Sequence, residues 1–453
     1  MLELSPFRKN KINLEDYDYQ KDIQNRILMS RLSSTDIEVL EEILYSPLTI
    51  PISKLAKNLD LSETRLKEIL SNLEKTELFH LENDHICVDK EMRKYYEHQM
   101  VKFESNFFIP NLDFLQNLLK KVPIHVLPSW YHIPRTTNNI FDSLVEKYLM
   151  TPQIFHRYLK ELNLGDQILT NIVEDVFCSP ELKVPSETLQ KKYGLSMEKF
   201  EECMLHLEFN FVCCLGYEKK ENGWQEFVTP FQEWRDYLLF LRNTTPKPIE
   251  DVDGIQWFRP HEFGFIEDLN QIMLQMSETP KTKESFADIF PKYYLDRLFQ
   301  KLQQLHLVEE DNNSFFITSA GLEWIKLSIE DKALFIYRHP SNQMISEEYA
   351  HLASEKNIRE IEKSIGRIID LEWVYFEDFM KGVLIPLSEK TSVSLKKIGR
   401  RWKYTLPEYS QDELNLIRTT ILDGLFESGM IIKGMHNDKE CFKITSLGKS
   451  LFV

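Results

Sequence analysis

The stretch 51–74 returns 134 residues later. Pro51, Leu55, Lys57, Leu61, Ser62, Glu68, Leu73 and Glu74 are matched in constant register by Pro185, Leu189, Lys191, Leu195, Ser196, Glu202, Leu207 and Glu208. A segment that recurs at a fixed period is one supersecondary unit used again, and this constrains the fold more than local propensity does. Ile43-Leu44-Tyr45-Ser46-Pro47 is likewise matched by Val176-Phe177-Cys178-Ser179-Pro180 with a one-residue shift. In the first copy, a capping box Thr35-x-x-Glu38 opens a helix carrying Ile37, Leu40, Ile43 and Leu44 inward, up to Ser46-Pro47. A short helix follows Pro51 with Leu55 and Leu59 inward, and a third starts at Ser62 with Leu66, Ile69, Leu70 and Leu73 on one face. The segment Leu78 to Val88 then reads as two strands around an Asn83-Asp84 turn. The second copy predicts strands at Phe211–Leu215 and Trp224–Val228, split by a charged turn over Lys219–Gly223. Helix, helix, helix, hairpin is the order of a winged helix, a variant of the helix-turn-helix.

A different repeat marks the C-terminal half. Leu302, Leu305, Leu307 and Val308 lead through Asn312-Asn313 into Ile317-Thr318-Ser319-Ala320-Gly321, and 127 residues on Leu425, Met430 and Ile431 lead through Asn437-Asp438 into Ile444-Thr445-Ser446-Leu447-Gly448. The last copy has its own capping box, Ser410-x-x-Glu413. The expected fold class is mainly α with small β-hairpins: a tandem array of about four winged-helix units joined by helical connectors. The expected boundaries are a polar N-terminal arm at 1–30, winged helix 1 at 31–100, a helical connector at 101–165, winged helix 2 at 166–245, winged helix 3 at 246–340, and a C-terminal winged helix 4 with a basic segment at 341–453.

Composition agrees with this and removes other classes. At 453 residues the chain is too long for one core, and only 14 are glycine, which disfavours doubly wound nucleotide-binding sheets and many-stranded β folds. No run is apolar enough to span a bilayer and Met1–Asn10 lacks the apolar core of a secretory signal, so the expected location is the cytoplasm, with no membrane partner. The six Cys are scattered without a CxxC pair, as expected of small buried hydrophobes in a reducing compartment. Gly448-Lys449-Ser450 ends like a P-loop, but Lys443 stands where the first glycine belongs. With no GxGxxG, GxSxG or HExxH, and no His and Cys at ligand spacing, the chain is expected to be no enzyme and to hold no cofactor, no metal and no small-molecule substrate.

Charge decides what remains. The formal net charge of −16 opposes unassisted binding to a phosphate polymer, so any contact with DNA must be local. The third helices are expected to expose Glu63, Thr64, Lys67, Glu68, Ser71 and Asn72 in the first copy, and Glu198, Lys199, Glu201, Glu202 and His206 in the second, faces too acidic for a phosphate groove. Residues 381–453 differ, with 12 Lys or Arg against 8 Asp or Glu. Their excess sits in Lys396, Lys397, Arg400, Arg401 and Lys403, interleaved with Trp402 and Tyr404, a pattern suited to phosphate contact with stacking. The nucleic-acid-binding residues expected on this basis are Lys396, Lys397, Arg400, Arg401, Trp402 and Lys403. A solvated basic loop, or one docked on the chain's own acidic units, is the other reading of the same residues, and composition alone favours it slightly. Trp130-Tyr131-His132 and Trp257-Phe258-Arg259 are either binding platforms or buried aromatic wedges between domains.

Residues 35–92 and the two Ile-Thr-Ser-x-Gly endings resemble the tandem winged-helix regions that accompany bacterial helicases of the XPB class, as does the step Gly321-Leu322-Glu323-Trp324-Ile325. Neither ATPase lobe is present, so the resemblance implies a helicase-associated, accessory role and no motor activity. The expectation is a non-enzymatic DNA-associated regulatory or accessory factor, its basic segment on phosphate and its acidic units on protein partners. The alternative is a protein-interaction scaffold that binds no nucleic acid.

Overall fold

The computed structural model describes residues 19–119, 140–221, 223–339, 349–399 and 401–452. It is mainly helical with small antiparallel sheets. The chain divides into two compact units, one of residues 1–239 with 394–404 and one of residues 240–393 with 405–453.

In the first unit, α1 (Tyr19–Met29) is followed by α2 (Ser34–Tyr45), β1 (Thr49–Pro51), α3 (Ile52–Asn58), α4 (Glu63–Leu73), β2 (Phe79–Glu82) and β3 (His85–Val88). The box that opens α2 lies two residues earlier than Thr35-x-x-Glu38. Ser33 is the cap, its hydroxyl taking the Asp36 N–H while the Asp36 carboxylate takes the Ser33 N–H. A Ser in extended backbone followed three residues on by a short acid satisfies two orphan amides at once, and Pro47 ends the helix because it cannot donate. Asn83 and Asp84 both have positive φ, which gives the two-residue turn that matches the strand twist. The strand order is β1-β3-β2.

The first copy ends with α5 (Lys90–Met100), and the connector holds β4 (Phe107–Phe108), α6 (Leu112–Leu119), α7 (Ile140–Leu144), a π-helical stretch Val145–Leu149, and α8 (Pro152–Glu161). The second copy repeats the first: α9 (Gln167–Cys178), β5 (Val184–Pro185), α10 (Ser186–Tyr193), α11 (Met197–Phe209), β6 (Cys214–Lys220) and β7 (Gly223–Thr229). As β1 pairs with β3, so β5 pairs with β7, and β4 adds an outer strand to β6. The charged turn is narrower than its sequence suggests, since β6 runs through Lys220 and β7 starts at Gly223, while Phe211–Cys213 stay outside the strand. Both copies share one apolar core, which includes Leu40, Leu66, Leu70, Ile172, Phe200 and Met204. The unit leaves through α12 (Gln232–Asn243).

The second unit begins with β8 (Gln256–Trp257), then α13 (Gly264–Met276), a bridge from Lys281 to Phe315, a short 3-10 turn Lys283–Phe286, α14 (Lys292–Gln304), β9 (Val308–Asp311), β10 (Ser314–Ile317), α15 (Ser319–Ile325) and α16 (Ile329–Arg338). It continues with α17 (Glu355–Ser364), β11 (Val374–Tyr375) and α18 (Phe376–Met380). The chain then enters the first unit as the hairpin β12 (Ser394–Ile398) and β13 (Arg401–Thr405). It closes with α19 (Gln411–Arg418), prolonged by a π-helical stretch Thr419–Leu425, then β14 (Ile431–His436), β15 (Lys439–Ile444) and α20 (Ser446–Phe452). Here β11 pairs with β15, and β8 adds an outer strand to β14. The Ser410–Glu413 capping box forms as expected.

The Ile-Thr-Ser-x-Gly endings have one mechanical explanation. Thr318 and Thr445 each cap a helix by accepting from Gly321 and Gly448 at 3.0 Å, and each hydroxyl donates back to a carbonyl before the hairpin, that of His306 or Gly429. A Cβ at Gly321 or Gly448 would collide with the carbonyl of Leu307 or Met430, so only glycine lets the helix seat against that backbone.

Two further expectations change. The N-terminal segment is not wholly an arm, because Tyr19–Met29 is the helix α1, packed on α11; residues 1–18 lie outside the described residues. The cysteines are not uniformly buried either: Cys178 is exposed and Cys87 half-buried, the other four buried. Among the described residues no helix is long and apolar enough to cross a membrane.

Candidate nucleic-acid interface

The basic segment belongs to the first unit, although the sequence on both sides of it belongs to the second. Alternation explains how it is held. On one face of the hairpin Leu395 and Tyr404 are buried. The Leu395 N–H donates to the Met150 carbonyl at 2.7 Å and the Tyr404 hydroxyl to the Leu149 carbonyl at 2.8 Å. Those carbonyls close the π-helical stretch and lack helical partners of their own. The Tyr404 ring lies 5.9 Å from Trp234 and 5.5 Å from Tyr237, and burial beside Glu233 and Tyr237 pushes its hydroxyl pKa well up. Half-buried Trp402 meets Phe141 edge-on at 6.3 Å, with the Lys397 ammonium 5.6 Å above its ring. Lys397 also pairs with Asp113 at 3.5 Å.

The interleaved aromatics are therefore anchors: Tyr404 has no free ring face for a base, and Trp402 lies on the anchored side. Lys396, Ile398, Arg401 and Lys403 alternate onto the opposite face, and all four are exposed. Equal strands and a two-residue connection, with Gly399 at positive φ, set Lys396 opposite Lys403. Lys396 and Arg401 make no ion pair or hydrogen bond among the described residues. Arg400 lies outside them.

The third helices behave differently from one another. On α4, Glu63, Thr64, Lys67, Glu68, Ser71 and Asn72 are exposed as expected. On α11 only Glu198 of the expected face is exposed; Lys199, Glu202 and His206 are half-buried and Glu201 is buried, which corrects the expectation of an exposed acidic face. The α1 guanidinium of Arg26 donates to Glu201 at 2.8 Å and to Glu208 at 2.8 and 3.1 Å, all three side chains being buried. Burial pushes the Glu201 pKa up against the pull of Arg26, and it pushes the nearby Lys102 down. In the second unit Arg297 and Lys301 of α14 pair with Glu427 at 2.5 and 2.7 Å, and Arg297 with Asp423 at 3.2 Å. Sequence periodicity finds α11 and α14 but not these partners, which stand 126 to 182 residues away.

Trp257 and Phe258 are part-exposed at a groove of about 570 Å³ that Tyr293, Lys433 and Met435 also line. Arg259 is held beneath it by Asp268 at 2.6 Å and Tyr294 at 3.2 Å. Trp130-Tyr131-His132 lies outside the described residues. One group among the described residues brings His, Cys and carboxylate atoms close enough to hold a metal ion, and it lies on β2 and β3, not on the basic hairpin. No family model matches the chain, and no curated protein matches it.

Proposed function

We propose that the protein is a non-enzymatic DNA-associated accessory or regulatory factor built from four winged-helix units, with the outward face of the hairpin β12–β13 as its phosphate contact. The unit reading rests on one order met four times, the fourth time with the hairpin β12–β13 inserted before the longer helix: a helix, an extended segment, a short helix or turn, a longer helix, and a hairpin whose second strand pairs back to that segment. The observation that carries the function is the cationic ladder of Lys396, Arg401 and Lys403, exposed on a rigidly anchored strand pair. Like charges opposite one another across a ladder cost stability, and a polyanion laid along them removes that cost while releasing its counterions. With α11 and α14 engaged in internal ion pairs, the ladder supplies position rather than sequence readout. In keeping with the resemblance to helicase-associated regions, the role is accessory to a DNA-processing or transcription machine.

The test is duplex-DNA binding by fluorescence anisotropy across a salt series, comparing the intact chain with Lys396→Ala, Arg401→Ala and Lys403→Ala combined. The expected result is weaker binding by the variant and a salt slope smaller by about 0.9 for each phosphate that is no longer neutralised. Absence of binding by the intact chain at low salt overturns the reading. The scaffold alternative has one observation in its favour: α1 seated on α11 is an example of a helix occupying a third-helix face.

A further inference from the structure

We propose that the hairpin β2–β3 of the first unit is a transition-metal site that takes Zn²⁺ through His80, Glu82 and Cys87. Strand pairing builds it. His80 stands directly opposite Cys87 in the antiparallel ladder, and Glu82 follows His80 by two residues, so all three share the outer face while Phe79, Ile86 and Val88 fill the inner one. One ligand atom from each lies within 4.8 Å of the others. Bonds of about 2.0 Å to nitrogen or carboxylate oxygen and about 2.3 Å to thiolate then need only side-chain rotation.

The lone pairs are available. None of the three side chains makes a hydrogen bond or ion pair among the described residues, whereas the neighbouring acid Asp84 is held by Lys67 at 3.0 Å. A fourth group shares the face: His85 stands opposite Glu82, and its Nδ1 lies 2.8 Å from the Asn83 carbonyl. A hydrogen bond to a backbone carbonyl at one ring nitrogen fixes the tautomer that leaves the other free to bind metal, a common outer-shell arrangement around histidine ligands. His85 is outside the group of three, and the fourth position is open to its Nε2 or to water.

Donor chemistry selects the ion. Imidazole, thiolate and one carboxylate suit Zn²⁺ and not Ca²⁺ or Mg²⁺, which want oxygen. Binding replaces the thiol proton, which leaves to solvent, with a metal–sulfur bond, and it ties β2 to β3 across the ladder. The site was not legible as a motif because His-x-Glu-x-x-His-x-Cys has no ligand spacing of a known class; only the two-residue turn folds its ends together.

The experiment uses the full chain stripped with a chelator, titrated with Zn²⁺ against a chromophoric competitor and separately with Co²⁺. The expected result is one equivalent bound, with the near-ultraviolet thiolate-to-cobalt band. Cys87→Ser should abolish that band and His80→Ala should weaken Zn²⁺ binding at least tenfold, with circular dichroism unchanged because the cluster is at the surface. Cys178→Ser, the exposed cysteine elsewhere, should change nothing. The proposal is overturned if the intact chain binds no stoichiometric Zn²⁺ at micromolar concentrations, or if the cobalt band survives Cys87→Ser.

Discussion

Glu74 and Glu208 hold the same place in the two copies of the N-terminal repeat, yet the first is exposed and the second buried. Their helices have the same apolar pattern, the same serine cap and the same hairpin after them. The difference lies two turns back and in a neighbour. Position 67 is Lys in α4, exposed and paired with Asp84, where position 201 in α11 is Glu. α11 is packed by α1, whose Arg26 is held by both acids, while Lys67 stays at the surface of α4. A repeat thus carries over its inward face, and its polar face takes on whatever the rest of the chain lays against it.

The comparison can be broken most strongly at Arg26. Arg26→Met leaves Glu201 and Glu208 buried without the guanidinium that pairs with them, and urea unfolding should show a loss of about 3–5 kcal/mol. Lys67→Ala should leave the midpoint where it is, and a large effect there would mean the two third helices differ less than their burial implies. Replacing all three charges together, Arg26→Met with Glu201→Leu and Glu208→Leu, should recover most of the loss, since a buried ion cluster is costly to break and not costly to remove.

The helices that leave the two copies sharpen the contrast through pH. α5 opens on exposed Asp89, whereas Glu233 of α12 is buried and takes the Leu112 N–H at 3.2 Å. Burial pushes the Glu233 carboxyl up to about 8 from 4.5. An acid whose folded pKa is raised contributes stability that is full below the unfolded value and lost as pH rises through the folded one. Stability should therefore fall between about pH 5.5 and 7.5 by roughly 2 kcal/mol on this account, and Glu233→Gln should flatten that slope. An unchanged slope in the variant would remove Glu233 as its source.

In the second unit the two copies are alike where the first unit's differ, and their variants should match. Gly321→Ala and Gly448→Ala each drive a methyl into a carbonyl, for a loss of about 1–3 kcal/mol. Thr318→Val and Thr445→Val each remove a cap for about 1 kcal/mol. Unequal effects within either pair would show that the shared motif acts differently in its two places.

Much of the fold was legible because its signals are local. Ser62 before Leu66, Asn83-Asp84 between apolar strands, and Ser410-x-x-Glu413 each act over a few residues, and each is found as expected. Thr35-x-x-Glu38 was displaced to Ser33 and Asp36 because two overlapping caps compete within one turn, and geometry chooses between them. The site was legible only in part. Lys396, Arg401 and Lys403 could be named from composition, but not that Trp402 and Tyr404 would be used to hold them.

The sequence by itself determined which residues point inward, where helices start, and where hairpins turn, because backbone capping, alternation and left-handed turn residues act within a few positions. Only the tertiary structure decided which polar groups are paired inside. It places Arg26 on Glu201 and Glu208, Arg297 and Lys301 on Glu427, and the basic hairpin in a unit that its sequence neighbours do not share. A charge has no periodicity of its own, and its partner is set by chain crossings of a hundred residues or more that no local pattern records.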